Sequence, residues 1–430
     1  MESIWQKDTE LPAFPKFQGS CGTDVLIIGG GMTGILTAYF LNNSGAECIL
    51  LEKNRILSGT TSGTTAKITF QHGLIYNKLI RKKGVESAGL YLQAHKSAFE
   101  MFENLCKNID CDFEYRDSYI YSLDDREKLE QEISACEKIG FNAEYCENIP
   151  LPFETAGAVK FSNQAQFNPL KFGGELAKEL SVYENSFVRD VKGNTAITDS
   201  GTVTAKYIII ATHFPFINTH GSYFLKLYQN RSNMIALENA ENLNGIYLDE
   251  SGKGFSFRNY KNYLIVGGES HRTGKQSKCW NELRDFSKRY YPDSEEYCFW
   301  SAQDCMSLDN TAYIGNYSSN TPYLFTASGF NKWGMTGSML SAMILNDMIC
   351  GKKNQFAELF SPSRSILKPQ LFVNGFEALR NMLTLSAKRC THLGCALKWN
   401  SSEHSWDCAC HGSRFDENGH ILENPANKDL

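Results

Sequence analysis

The chain has 430 residues, 42% of them hydrophobic and 21% charged, which is enough material for two or three packed cores. A formal net charge of −5 and the lack of a basic cluster give no reason to expect a nucleic-acid surface or a polybasic membrane face. Residues 1–17 mix acids, lysines and prolines without an apolar core, and no run approaches about 18 apolar residues, so the expected setting is the cytoplasm, with no membrane partner.

In chain order, Asp24 to Ile28 is a short apolar run suited to a buried parallel strand. It feeds straight into Gly29-Gly30-Gly31-Met32-Thr33-Gly34 and a helix-compatible stretch, Ile35 to Leu41. Strand, glycine turn and helix in that order form a dinucleotide site. Gly29 permits the tight turn, Gly31 lets backbone approach a pyrophosphate, and Gly34 allows close helix packing. A second apolar run, Cys48 to Leu51, ends at Glu52, where a carboxylate can accept hydrogen bonds from ribose hydroxyls. Ser58 to Lys67 then reads as a glycine- and hydroxyl-rich loop, either a phosphate- and ribityl-binding element or a plain surface turn.

Helical periodicity follows over Leu74–Asn108 and Asp125–Ile139, and again in the amphipathic segment from Leu170 to Leu180. Phe187 to Val191 reads as a strand, and Val203 to Thr212 as a further parallel strand of the nucleotide-binding sheet. Ile246–Leu248, Gly254–Arg258 and Tyr263–Gly268 read as successive antiparallel strands of a separate sheet. A glycine-rich turn, Gly329 to Thr336, precedes a helix from Gly337 to Ile349 and can offer backbone N–H groups to a ligand. The segment 353–386 reads as a connector that becomes helical through Phe372 to Leu383.

Beyond the connector stand Cys390-Thr-His392-Leu-Gly394-Cys395 and Cys408-Ala-Cys410-His411-Gly412-Ser413. This two-box spacing is the pattern of a Rieske site, in which Cys390 and Cys408 hold one iron of a [2Fe–2S] cluster and His392 and His411 the other. Two cysteines and two histidines at short spacing also satisfy tetrahedral zinc. The extra cysteine in each box, with Gly394, Gly412 and Ser413 placed to bond cluster sulfurs, favours the cluster. Of the 14 cysteines, the ten outside the boxes, Cys279 among them, are expected to be buried thiols packing as small hydrophobes.

From about Thr23 to Ile349 these residues resemble the D-amino-acid oxidase and glycine oxidase class of FAD-dependent oxidoreductases. The whole chain resembles a bacterial subgroup in which such a body is fused to a Rieske domain. Thr60 to Lys67 and Gln71-His72-Gly73 are recognisable in that subgroup. The resemblance implies an α/β fold: a Rossmann-like FAD-binding domain, an inserted antiparallel substrate sheet, and a small C-terminal cluster module. It implies FAD-binding parts near 21–90, 160–225 and 305–352, substrate parts near 91–159 and 226–304, and a shortened Rieske module over 387–430. By it, Gly29, Gly31, Gly34 and Glu52 would bind the ADP moiety, Val188 would meet the adenine, and Gly334, Met335 and Thr336 would approach the flavin ring. A disulfide between Cys395 and Cys410 is likewise implied. Phe415 stands where the high-potential pattern has a tyrosine, so one sulfur hydrogen bond is missing and a lower potential is expected.

The expected partners are a small amine or amino-acid-like substrate and an electron acceptor that the residues do not identify. Arg258 and Tyr260 are candidates to bind a substrate carboxylate, and Lys332 and His72 to stand near the flavin, while no residue is assigned a catalytic role. A redox sensor without metabolite turnover, or a flavoenzyme with a structural zinc module, remains open on the residues alone.

Overall fold

The computed structural model describes residues 1–252, 254–275 and 280–430; Cys279 lies outside them. Three sheets organise these residues. The first is the nucleotide-binding sheet. Its strand Gly19–Ile28 runs parallel to Cys48–Leu51 on one side and to Gly201–Ile210 on the other, with Ile28 opposite both Leu51 and Ile210. Val25 to Ile28 are buried, as an apolar run covered on both faces should be. Leu324–Ser328 continues the parallel order beyond Gly201–Ile210, and Val182–Tyr183 beyond Cys48–Leu51.

The helices Met32–Asn43 and Gly334–Ile349 cover this sheet and are joined by a 2.8 Å contact between the hydroxyls of Thr33 and Ser338. Gly34 makes the packing possible. A Cβ there would lie 1.9 Å from the Gly29 carbonyl oxygen, which no side chain tolerates.

The second sheet has nine strands among the described residues. Ile246–Asp249, Ser256–Tyr260 and Tyr263–Arg272 form the expected antiparallel run, joined by Glu114–Ser122, Gly157–Gln166, Leu227–Glu238 and Glu295–Ser307. The last two pair from Leu227 opposite Ser307 to Glu238 opposite Glu295. Neither shows up in the sequence pattern, because their buried positions include Gln229, Arg231, Asn233 and Gln303 and so break the apolar alternation on which strand recognition rests.

Several expectations shift. The helix expected over Leu74–Asn108 spans Tyr76–Cys106 and is interrupted at Gly84, whose φ of 85° lies in the left-handed region. Ser58 to Lys67 is not loop throughout: it contains the helical turn Thr60–Gly63 and the strand Lys67–Ile68, and the Met32 N–H donates to Thr61 Oγ1 at 3.1 Å. Cys21 and Cys350 are exposed, contrary to the expectation of burial.

The third sheet is the C-terminal module. Leu397–Asn400, Ser405–Cys408, Arg414–Asp416 and Ile421–Glu423 form an antiparallel meander around a small core containing Cys390, Leu397, Cys408 and Phe415. The helix Pro369–Leu383 precedes it, opened by a proline in its first turn.

Candidate functional site

The turn between Gly19–Ile28 and Met32–Asn43 opens into a cavity of about 900 Å³, near the upper end for cofactor sites. Gly29, Gly31, Glu52 and Val188 line one part of it. Gly29 has φ of 112°, and a Cβ on it would meet the Ala211 carbonyl at 2.5 Å, so the turn depends on glycine. Gly31 caps the helix with open space before it and only Thr61 Oγ1 at 3.5 Å. This leaves room for a ligand at a helix N-terminus, the arrangement that receives a pyrophosphate. Glu52 accepts from the Gly30 N–H at 2.7 Å and the Asn54 N–H at 2.9 Å. Burial pushes its carboxyl upward, against the pull of those two donors.

The opposite part is lined by His72, Trp300, Lys332, Trp333, Gly334 and Met335. Gly34 and Thr336 do not face the cavity. Gly34 serves the helix packing already described, and the Thr336 hydroxyl, 1% exposed, bonds Thr69 O and His72 Nε2 at 3.1 Å each. His72 is also bonded through Nδ1 to the Tyr91 hydroxyl at 2.7 Å and stacks on Trp333. Burial takes its imidazole down to about 3, so it is a neutral spacer with both nitrogens engaged.

Charge in the cavity comes from Lys332, which the sequence offered as a neighbour of the flavin, and from Lys67 and Asp304, whose charges the sequence left without a role. Lys67 lines it, and burial, then repulsion from Arg258 and Lys332, brings its ammonium down to about 7. Lys332 donates to Ser270 Oγ at 2.6 Å; burial lowers it while attraction to Asp304, also in the cavity wall, raises it. A Lys following a hydroxyl-rich stretch was the signal available for Lys67.

Arg258 and Tyr260 are corrected. Arg258 is 1% exposed, donates through Nη1 to the Ala66 carbonyl at 2.9 Å and lies over Trp5. The Tyr260 hydroxyl is bound to Asp8 and to Asp112, the latter at 2.7 Å. Both are structural ties outside the cavity lining.

At the cluster site the two boxes fold alike. Gly394 N–H donates to Cys390 O and Gly412 N–H to Cys408 O, each at 2.9 Å, and both glycines have positive φ, 74° and 84°. Cys395 and Cys410 form a disulfide that ties the loops together. The Sγ atoms of Cys395, Cys408 and Cys410 lie within 4.8 Å of one another, but the first and third are bonded and offer no thiolate, leaving Cys390 and Cys408 as thiol ligands.

The hydrogen bond between those two thiols holds Cys390 below the ordinary range, aided by the N–H groups of His392 and Leu393 and by Ser413. The same bond and full burial push Cys408 up. The imidazoles of His392 and His411 lie 4.9 Å apart at 89°. His392 Nε2 is bound to Asn218 Oδ1 at 2.8 Å and His411 Nε2 to Phe224 O at 3.0 Å. Both Nδ1 atoms are buried without any partner. Burial keeps both rings neutral, His392 down to about 4 and His411 to about 3. Two orphaned, neutral Nδ1 atoms whose tautomers are fixed through Nε2 are what two metal-ligating histidines require, so the residues fit a [2Fe–2S] cluster.

The module is seated on the body by bonds to its ligand loops. Gln229 Nε2 donates to His411 O and Gln303 Nε2 to Gly412 O, both at 2.8 Å. Arg272 donates to Ala409 O at 2.9 Å and Cys410 O at 3.0 Å. Arg231, 3% exposed in its side chain, pairs with Glu403 and with Glu423. Leu422, Glu423, Asn424, Ala426 and Asn427 of the module line the same cavity as Gly29 and Glu52.

The FAD dependent oxidoreductase family, DAO, matches residues 24–348, and the Rieske [2Fe-2S] domain matches residues 365–430. A protein of Bacillus subtilis (strain 168) named for its Rieske 2Fe-2S iron–sulfur centre, YhfW, is 33% identical over 100% of this chain and 97% of its own. The cytochrome b6-f complex iron-sulfur subunit of Prochlorococcus marinus is 45% identical over 56 residues, 13% of this chain and 30% of that subunit. Among solved structures, glycine oxidase from Geobacillus kaustophilus superposes with a TM-score of 0.68 at 18% identity, covering 80% of this chain and 99% of that one. L-proline dehydrogenase from P. horikoshii does so with 0.68 at 16%, covering 82% and 98%; at these identities the likeness is one of fold. The chain belongs to the FAD dependent oxidoreductase family and carries a C-terminal Rieske domain, and its cofactors are FAD and a [2Fe–2S] cluster.

Proposed function

We propose that this oxidoreductase takes two electrons from a small amine or amino-acid-like substrate at the cavity and delivers them singly through the Rieske module to an external acceptor. The observation that carries this reading is a short span of chain. Thr212 and His213 line the cavity, and the next residue, Phe214, has its ring 6.3 Å from that of His392 and 6.1 Å from that of His411. When bound, the flavin supplies two-electron acceptance with one-electron release, and the cluster supplies one-electron acceptance.

The chain's own residues would bind, orient and shield. Gly29, Gly31 and Glu52 would hold the ADP part, with Val188 at the adenine, and Gly34 keeps the helix N-terminus close enough to serve them. Gly334 and Met335 open the helix Gly334–Ile349 at the cavity and would present backbone N–H groups to the ring. Thr336 acts at one remove, through His72. Lys67 and Lys332 would attract a substrate carboxylate, and Asp304 would offset their charge. Trp300 and the His72–Trp333 stack would keep water from that end.

Anaerobic titration of the holoprotein with a panel of amino acids and secondary amines tests the reading. We expect flavin bleaching by at least one compound, followed by a reduced Rieske signal in low-temperature EPR. Bleaching without cluster reduction would sink the relay. No bleaching across the panel would favour a redox relay without metabolite turnover.

A further inference from the structure

The helix Pro369–Leu383 is built inside out. Its buried residues are Asn374, Glu377 and Asn381, which face the body and the cluster module. Asn374 Oδ1 accepts from Arg272 at 3.0 Å, Glu377 pairs with Lys275 at 2.5 Å, and the Asn381 carbonyl accepts from the Ala396 N–H at 3.0 Å. Its large apolar side chains point the other way: Phe372 is 72% exposed, Phe376 66%, Leu379 57% and Leu383 75%. At about 100° per residue these four fall within an arc of roughly 60°, opposite the buried polar three. Leu367 and Leu385, 76% and 95% exposed, extend the ridge at both ends. A contiguous exposed ridge of this kind marks an interaction surface, unlike the scattered apolar residues of an ordinary exterior.

Charge decides what covers it. Residues 364–389 contain Arg364, Lys368, Arg380, Lys388 and Arg389 against one acid, Glu377 (five minus one, net +4), in a chain whose net charge is −5; Arg364 is paired with Asp309, which leaves Lys368, Arg380, Lys388 and Arg389 to set the sign of this region. The one acid is turned inward onto Lys275, so the segment itself contributes no outward carboxylate. A second copy meeting this face about a two-fold axis would set cations against cations. An apolar ridge flanked by lysine and arginine on a helix lying along the surface matches the interface of an anionic bilayer.

We propose that Pro369–Leu383 docks this protein peripherally on an anionic lipid surface, with Phe372, Phe376, Leu379 and Leu383 at the acyl boundary and Lys368 and Arg380 at the headgroups. This revises the expectation of no membrane partner that composition gave. No described helix is long and apolar enough to cross a membrane, and none is required. Arg389 donates to the carbonyls of Met382 and Gly394, so the helix end and the first ligand loop are joined, and docking brings the cluster toward the bilayer.

The test is flotation of the full holoprotein with vesicles of equal parts phosphatidylglycerol and phosphatidylcholine, and with phosphatidylcholine alone. We expect flotation with the anionic vesicles at low salt, at least tenfold weaker partition onto phosphatidylcholine, and a loss of about fivefold for Arg380→Gln. Phe376→Ser with Leu379→Ser should cost at least tenfold while leaving the flavin and cluster spectra unchanged, since both side chains lie outside the core. No flotation with anionic vesicles, or flotation unaffected by the double substitution, overturns the proposal. So does a wild-type dimer that the double substitution dissociates, which would assign the ridge to a second copy.

Discussion

The two cofactor regions are built on opposite plans. The cluster loops draw every ligand from 22 residues, Cys390 to His411, and fix them by local bonds repeated in each box. The flavin cavity is assembled from strands and turns spread from Gly29 to Met335 and relies on backbone groups and absent side chains. A compact site of side-chain ligands fails at single atoms. A distributed backbone site fails where packing fails.

The sharpest test of that contrast is His411→Ala. Iron content and the Rieske EPR signal should fall to background while flavin absorbance stays, because the substitution removes one of the two histidine ligands. The converse is Gly34→Ala. A Cβ 1.9 Å from Gly29 O forces the helix off the sheet at a cost of about 3 kcal/mol or more, and FAD content should drop with the iron retained.

The tie between the regions is weaker. Arg364, within the connecting segment, pairs with Asp309 Oδ1 at 2.9 Å, and Lys83 reaches Oδ2 of the same carboxylate at 3.2 Å. Burial works against them, but together they hold Asp309 down at about 2. A depressed carboxyl contributes stability that is complete above its unfolded value. Roughly 2 kcal/mol should therefore disappear as pH falls from about 4 to 2, and Asp309→Asn should abolish this part of the acid transition in a denaturation series.

Gln303→Leu should cost about 1–2 kcal/mol by stranding Gly412 O. It should leave substrate bleaching of the flavin intact but slow cluster reduction in stopped flow. The smallest effect concerns the substrate end. With Lys67 at about 7, its ammonium is present below that pH and lost above it, so KM for an acid substrate should rise several-fold between pH 6 and 8. Lys67→Met should flatten that profile at the higher KM.

What was legible in the sequence follows the same contrast. Ligand spacing exposed Cys390, His392, Cys408 and His411 because the chemistry there is local. The turn at Gly29 and the acid at Glu52 were legible because strand, turn and helix are consecutive. Lys67 had only the hydroxyl-rich stretch before it as a mark, and Asp304 and Trp300 had none, since only folding across more than 200 residues brings them to one cavity with Lys67. Arg258 misled because an arginine on a strand of that sheet looks like a ligand group, while the sheet turns it onto Trp5 and the Ala66 carbonyl. The docking residues Gln229, Arg231 and Gln303 hid their own strands. Buried polar groups made those segments look like surface until the module that satisfies them was in place.

That Leu422, Glu423 and Asn424 help to wall the cavity has a consequence for how the molecule matures. The residues that close the flavin pocket follow the cluster ligands in the chain, so the nucleotide-binding sheet can form first and its pocket is finished only when the module docks.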